Sequence, residues 1–398
     1  MTPTEPSLAS RVLAFQPALP HYRRSFFRRF GDRVTSLTLV HGAKPLPGEC
    51  SVAPESLGHV RTIRVTHRVL GPALWMPALW SRTTGSSHDV AIFSWNGRYL
   101  HLPMALARAR RAGMGIVLWG HGYSTRAETP LRRQYRNLLA RSADAIVTYN
   151  QRAARDLVMA GFDHERVFVA PNALDATEIE LAIDRWTQSA GNLSRFRRAL
   201  DIDGHPVAIH VSRLSNAANL RTLVETWRPV SQLVPEARLV IIGDGPARHE
   251  LLTNVEALGV SGSVRCVGAI YGDDAIAPYF LCASLMLHPC KIGFSLNHGM
   301  MYGVPVATFD DATRHSPEFE ALRDGVNGVA VRYGDVHGLA RRVAGVLRDE
   351  ALAADLGRMA RETMRAKYTI DAMVDGFVAA TRHAHVASGR PRLGAYGP

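Results

Sequence analysis

The chain has 398 residues, of which 46% are hydrophobic and 21% charged, and its net charge is +12. That is ordinary composition for a globular protein of two domains, each large enough for its own core, and it excludes a disordered or fibrous chain. Residues 1–7 lack the charged-then-apolar pattern of a secretory signal, and the apolar stretch at 71–80 is broken by Pro72 and Pro77, so a cytoplasmic chain that does not span a membrane is expected.

In chain order, the first apolar run is 11–16. It is followed by His21-Tyr-Arg-Arg-Ser-Phe-Phe-Arg-Arg-Phe-Gly-Asp-Arg33, thirteen residues with five arginines, one acid and four aromatics. This reads as the start of a basic amphipathic helix. Tyr22, Arg23, Arg24 and Arg28 could rest on anionic headgroups or grip an acidic acceptor, or the aromatics could pack inward beneath a solvated face. No helix-turn-helix, zinc finger or RNP-type motif accompanies the charge, so no nucleic-acid partner is expected.

Short apolar runs recur at 90–94, 115–119, 145–149 and 167–170, separated by helical or loop stretches, which is the alternation of a parallel, doubly wound sheet. A polar, helix-rich stretch at 175–203 suits a linker. A second set of strands is expected at 206–211, 237–242, 263–267, 285–287 and 304–307, with helices at 220–233 and 247–258 and amphipathic helices at 336–349 and 352–383. The expected organisation is thus an N-terminal Rossmann-like domain at 1–190, a second at 191–350, C-terminal helices at 351–385 returning to the first domain, and a disordered tail at 386–398. Cys50, Cys266, Cys282 and Cys290 have neither CxxC spacing nor the histidine partners of a zinc site, so reduced thiols and no metal are expected.

Residues 289–306 carry the most chemical information. The apolar run 284–288 stops at Pro289, Gly293 allows close backbone approach, and a helix from Ser295 to Met301 would point its N–H groups and positive dipole end outward, which suits a diphosphate. Glycine also closes ordinary βα turns, so this loop alone leaves both readings open. Other features fall at strand ends of the same half, where ligands bind in open α/β sheets. His210-Val-Ser-Arg213 places a guanidinium just past a strand, in reach of phosphate oxygens. Gly243-Asp-Gly245-Pro246 is a glycine turn before a helix, and the loop from Gly268 to Tyr271 could border a base or sugar. Glu318 and Glu320 follow another strand, either facing a ligand or as surface acids.

Several segments together resemble, in order and spacing, the nucleotide-sugar half of a GT-B glycosyltransferase of family 4. They are Ser212-Arg213-Leu214 with Asn219-Leu220, residues 235–246, Leu258-Gly-Val260 with 264–268, residues 293–306, and Asp324-Gly-Val-Asn-Gly328 with Gly334-Asp335. In the first half, Trp119-Gly-His-Gly122, residues 142–147 and Pro171-Asn-Ala-Leu-Asp175 are similar to the family's acceptor-side strand, Ala-Asp pair and interdomain Asn segment. The resemblance covers residues 90–350. It implies an α/β GT-B fold, two Rossmann-like doubly wound domains facing across a cleft. The implied activity is retaining transfer of a hexosyl unit from a nucleoside diphosphate sugar to a glycan or lipid-linked acceptor, in polysaccharide or glycoconjugate synthesis. Arg213, Gly245, Lys291, Ile292, Gly293, Phe294, Ser295 and His298 would bind the donor. Arg213 and His121 would serve the chemistry, without cofactor or metal, in a cytoplasmic enzyme sitting peripherally at the inner face of the membrane.

The sequence departs from the family pattern at three charged positions. The phosphate-binding lysine five residues after the arginine is Ala218 here, and the two glutamates separated by seven residues fall on Cys290 and His298. A subgroup with histidine at the second position accounts for His298, whose ring nitrogens can reach ribose hydroxyls. Lys291, one of three lysines in the chain, either replaces the missing cation or caps a carbonyl. Two other readings share the pattern: a GT-B nucleotide-sugar epimerase, and a non-catalytic nucleotide-sugar or glycan-binding homologue.

Overall fold

The computed structural model describes residues 8–43, 57–71, 73–85, 87–122, 129–215 and 219–389. Ala218, Cys50 and residues 390–398 of the expected tail lie outside the described residues. The chain divides into two compact units, Met1–Ala173 with Ile370–Pro398, and Leu174–Thr369.

The first unit opens with β1 (Leu8–Gln16), a 3-10 turn at His21–Arg23, α1 (Arg24–Asp32), β2 (Val34–Gly42) and β3 (Arg61–Val65). A short antiparallel pair, β4 (Arg68–Leu70) and β5 (Ala73–Trp75), and a single turn, α2 (Ala78–Ser81), come next. Then β6 (Val90–Ser94), α3 (Leu102–Arg111), β7 (Gly115–Gly120), α4 (Pro130–Arg141), β8 (Ala145–Thr148), α5 (Gln151–Met159) and β9 (Val167–Val169) alternate. Seven strands pair in the order β3-β2-β1-β6-β7-β8-β9, all parallel. The inner strands β6, β7 and β8 are largely apolar because both faces are covered; β7, Gly-Ile-Val-Leu-Trp-Gly, is buried along its whole length.

The second unit begins with α6 (Ala176–Thr187) and α7 (Ala190–Ala199), followed by β10 (Val207–Val211), α8 (Leu220–Leu233), β11 (Arg238–Ile242), α9 (Arg248–Ala257), β12 (Val264–Gly268) and α10 (Asp273–Leu281). It continues with β13 (Leu285–Leu287), α11 (Phe294–Met301), β14 (Val306–Asp310), β15 (Gly328–Arg332), α12 (Val336–Arg348) and α13 (Glu350–Lys367). Its six strands run parallel in the order β12-β11-β10-β13-β14-β15. Because α6 packs on α10, the division falls at Ala173/Leu174 rather than after residue 190. Asp335 and Asp349 cap α12 and α13, accepting from the N–H groups of Gly338 (2.7 Å) and Leu352 (2.9 Å).

Of the two last helices only α14 (Ile370–Ala387) joins the first unit, while α13 stays with the second. On α14, the Phe377 ring sits 4.7 Å from both Phe26 and Trp119, so α1 turns Phe26, Phe27 and Phe30 inward to a shared core. Arg29 and Arg33 pair at the rim with Asp371 (2.7 Å) and Asp375 (3.2 Å), contacts worth at most about 1 kcal/mol each in solvent. Each large sheet reverses its strand order once, at β1/β6 and at β10/β13, the topological position at which open α/β sheets bind ligands beyond the carboxyl ends of their strands. No helix among the described residues is long and apolar enough to cross a membrane.

Candidate functional site

In the second unit, the loops that leave β10 and β13 meet at the reversal point. Ser212-Arg213-Leu214 is stitched to the glycine turn after β11: Ser212 N–H donates to Ile242 O (3.1 Å), Leu214 N–H to Asp244 O (3.0 Å) and Ala247 N–H to Leu214 O (3.1 Å). Gly243 and Gly245 have φ of +150° and +153°, and a Cβ at either would lie 1.9 Å from Ser212 O or 2.2 Å from Leu214 O. Both glycines are therefore required by the Arg213 loop itself, whether or not the Gly245 backbone also faces a ligand. Below the loop, His210 Nδ1–H donates to Leu287 O (2.9 Å), so Nε2 accepts from the Ser212 hydroxyl (2.8 Å). Burial pushes the His210 pKa down to about 4 and locks the neutral ring. Arg213 is exposed and has no hydrogen-bond or ion-pair partner among the described residues.

The loop after β13 is held from the other side. Ile292 N–H donates to His315 Nδ1 (3.2 Å), His315 Nε2–H donates to Phe309 O (2.8 Å), and Ser316 N–H donates to Ile292 O (2.9 Å). Those bonds require a neutral His315, and burial lowers its pKa accordingly. Gly293 caps α11 with φ −141°, and the nearest atoms to where a Cβ would sit are Ser316 Oγ at 3.2 Å and Glu318 Oε2 at 3.9 Å. Glu318 is 3% exposed, so it is a buried carboxylate beside the glycine loop and not a surface acid; Glu320 is half-buried. Ile292 is buried, Phe294 and Ser295 are half-buried at the helix start, and Lys291 is exposed, with no described carbonyl accepting a bond from it.

Cys290 and His298 occupy their positions differently from the carboxylates they replace. The Cys290 thiol is buried and donates to Asn219 O (3.3 Å), tying the β13 loop to the first residue before α8, which takes the left-handed conformation at φ +46°. Burial pushes the thiol up to about 12, so almost no thiolate exists at neutral pH. Iodoacetamide at pH 8 is therefore expected to leave Cys290 unmodified in the native protein and to label it in urea, with peptide mass spectrometry as the readout; labelling of the native chain would show that the thiol is accessible. His298 Nε2 lies 2.8 Å from Asp273 Oδ1 at the start of α10, and the Tyr302 hydroxyl donates to Asp273 O (3.1 Å). One of the two ring nitrogens expected for a ribose is thus committed to Asp273.

In the first unit, His121 follows β7 and is exposed, its ring 5.0 Å from that of Tyr149. Arg23 is not on the basic face. It is 5% exposed, its guanidinium lies 4.9 Å from the Trp119 ring centre and 5.6 Å from that of Tyr149, and it donates to Asn172 Oδ1 (2.5 Å). A cation enclosed in this way does not reach lipid headgroups. Tyr22 and Arg28 are exposed and Arg24 is half-buried. The 3-10 turn explains the difference, because Arg23 precedes the helix and leaves the periodic face that the pattern describes.

The family description "Glycosyltransferase Family 4" matches residues 25–178, and "Glycosyl transferases group 1" matches residues 205–349. The chain is a family 4-like glycosyltransferase. Among related sequences, the lipopolysaccharide core biosynthesis glycosyltransferase LpsE of Rhizobium meliloti is 28% identical over 176 residues, 44% of this chain and 48% of that protein. The GDP-mannose-dependent alpha-(1-6)-phosphatidylinositol monomannoside mannosyltransferase of Mycolicibacterium smegmatis is 26% identical over 309 residues, 75% of this chain and 77% of that protein. Among solved structures, Anabaena HepE in complex with UDP aligns with a TM-score of 0.70 over 92% of this glycosyltransferase and 98% of that chain, at 18% identity. Sucrose-phosphate synthase from Thermosynechococcus elongatus aligns at 0.64 over 95% and 100%, at 15% identity. These likenesses are of fold, and the fold is GT-B. Sequence reasoning about this glycosyltransferase missed His315, which reaches the Ile292 loop from the far side of β14 and carries no motif of its own; its only sequence signal is a histidine directly before Ser316-Pro317.

Proposed function

We propose that this protein transfers a hexosyl unit, with retention of anomeric configuration, from a nucleoside diphosphate sugar to a glycan or lipid-linked acceptor in polysaccharide or glycoconjugate synthesis. The observation that carries this reading is the convergence of an exposed arginine and a glycine-capped helix start on the β10/β13 reversal point. When the anomeric C–O bond breaks, its electron pair stays on the diphosphate. In this reading Arg213, the N–H groups from Gly293 to Ser295 and the positive end of α11 meet that charge, with Lys291 supplying the cation absent at Ala218. His121 is the proposed sugar contact, and His298, oriented by Asp273, the proposed ribose contact. The relatives support the substrate class: one is named for GDP-mannose and another for a lipopolysaccharide core. The enzyme would work on the cytoplasmic side, at a membrane surface.

Arg213→Ala is expected to lower kcat roughly 30- to 150-fold, the loss of about 2 to 3 kcal/mol of stabilisation at a developing anion. The assay is release of UDP or GDP from a panel of nucleotide sugars. Unchanged turnover removes Arg213 from the chemistry, and donor binding by the native protein without any turnover supports a non-catalytic homologue instead.

A further inference from the structure

On α4, Leu131, Tyr135 and Leu138 stand at i, i+4 and i+7, the spacing of a helix face built for a core. Yet Leu131 is 75% and Leu138 66% exposed, Tyr135 is exposed with them, and the helix is seated by Leu139 and Ala140. Exposed Arg132 and Arg133 flank the stripe.

The surface continues beyond the helix. The Tyr135 ring lies 3.4 Å from where a Cβ on Gly97 would sit, and Trp95 Nε1–H donates to Arg136 O (3.2 Å), so α4 rests on the turn that follows β6. That turn pairs with β5, Leu74 N–H donating to Arg98 O (2.7 Å) and Leu100 N–H to Leu74 O (3.2 Å). Leu70 and Trp75 of the β4–β5 pair are exposed there, and Trp80 of α2 is exposed with the Arg108 guanidinium 4.8 Å from its ring centre.

The sequence of this region is strongly basic, and Asp144, just beyond it, is taken up by Arg110 (2.8 Å). From residue 57 to residue 143 the sequence contains thirteen arginines, no lysine and two acids, Asp89 and Glu128. Asp89 is buried in its pair with Arg11 (2.8 Å). A second copy of the chain would bring like charges face to face. Nucleic acid would satisfy the arginines but gives Leu70, Leu131 and Leu138 no apolar phase to enter. A bilayer with acidic headgroups provides phosphate for the arginines, an interfacial layer for tryptophan and tyrosine, and an acyl boundary for the leucines.

We propose that α4, α2 and the β4–β5 pair form a docking surface for an anionic membrane. This replaces the α1 helix in that role, since Arg23 is enclosed and Arg29 and Arg33 are paired with α14. The proposal deepens the reading of a lipid-linked or glycoconjugate acceptor and rests on it for its purpose: the turn after β6 borders the first unit's reversal point, so a bilayer held there presents its headgroups at that point.

The full chain is sedimented with vesicles of phosphatidylcholine alone and of phosphatidylcholine mixed with phosphatidylglycerol. Binding is expected to the mixed vesicles and to fall with added salt. The Leu131→Glu/Leu138→Glu variant is expected to bind about tenfold more weakly or worse, and Arg132→Gln/Arg133→Gln about fivefold more weakly for each charge removed. Arg24→Gln/Arg28→Gln is expected to bind like the native protein. Matched thermal unfolding of the variants excludes misfolding as the cause. No sedimentation of the native protein, equal binding by the leucine variant, or a dimer that the leucine variant merely separates would each overturn the proposal. Donor turnover with a water-soluble acceptor is measured in parallel and reports on the glycosyltransfer reading alone.

Discussion

Replacing Gly243 by alanine is expected to destabilise the second unit by about 3 to 5 kcal/mol, the sum of a backbone conformation nearly restricted to glycine and a contact that cannot relax through a side chain. The added Cβ meets the Ser212 carbonyl oxygen at 1.9 Å, and φ is +150°. Either the glycine turn or the Ser212-Arg213-Leu214 loop must move, so catalysis should fall along with stability. Urea unfolding and kcat measured on the same preparation test both parts: the midpoint of the second unit's transition should drop, and residual folded enzyme should turn over slowly. Gly293→Ala is the matched comparison. Its φ is −141° and its nearest neighbour is a serine hydroxyl at 3.2 Å, so that chain should unfold much like the native one. A Gly243→Ala protein with native stability would mean that the stitched arrangement of these two loops is wrong.

Mild acid is expected to unfold the second unit well before carboxylate titration is complete. His210 and His288 lie with ring centres 4.6 Å apart, both fully buried, and His315 is buried close by. The His210 pKa is lowered to about 4 by burial; His288 is lowered well below its ordinary value by burial and then by His210, and His315 is lowered by burial and by Lys291 despite Asp310 and Asp311, which act the other way. In the unfolded chain all three titrate near about 6.5. Between that value and the folded ones the unfolded state binds more protons, so the stability these rings contribute is complete above about pH 6.5 and is lost as pH falls towards 4. For His210 alone the loss by pH 4 is about 3 kcal/mol. Unfolding midpoints at pH 8, 6 and 4.5 should fall steeply over the lower interval, and His288→Leu should flatten that slope. A midpoint independent of pH down to 4.5 would show that the rings are solvated or already charged.

Much of the fold could be read from the sequence because strands buried on both faces are unbroken apolar runs, as in β7 and β11. The strands that escaped notice lack that signature. The β2 sequence begins Val-Thr-Ser-Leu-Thr, and β3, at the sheet edge, starts with Arg61-Thr62 and places Arg64 between Ile63 and Val65. At the candidate site, the positions of Arg213, two residues past β10, and of Gly293, in the loop between β13 and α11, could be read because a glycine or polar residue interrupts the apolar pattern there. The histidine that braces the Ile292 loop was not, since its bond spans 23 positions and joins two loops that only the sheet brings together. Helical periodicity was ambiguous in both directions: the dense arginine run of α1 covers a core face, while the sparser stripe of α4 has the spacing of a core face and is solvated. Spacing identifies a face, and only packing shows what lies against it.

The return of α14 to the first unit reverses the order of completion during synthesis. The residues translated first, through Ala173, have no Phe377 to close over Phe26 and Trp119 until the ribosome has passed the whole of Leu174–Thr369, whereas that second stretch contains all six strands of its own sheet. On the nascent chain the later unit can therefore finish folding while the earlier one still waits with an aromatic core open on one side, a vulnerable interval of the kind that chaperones cover.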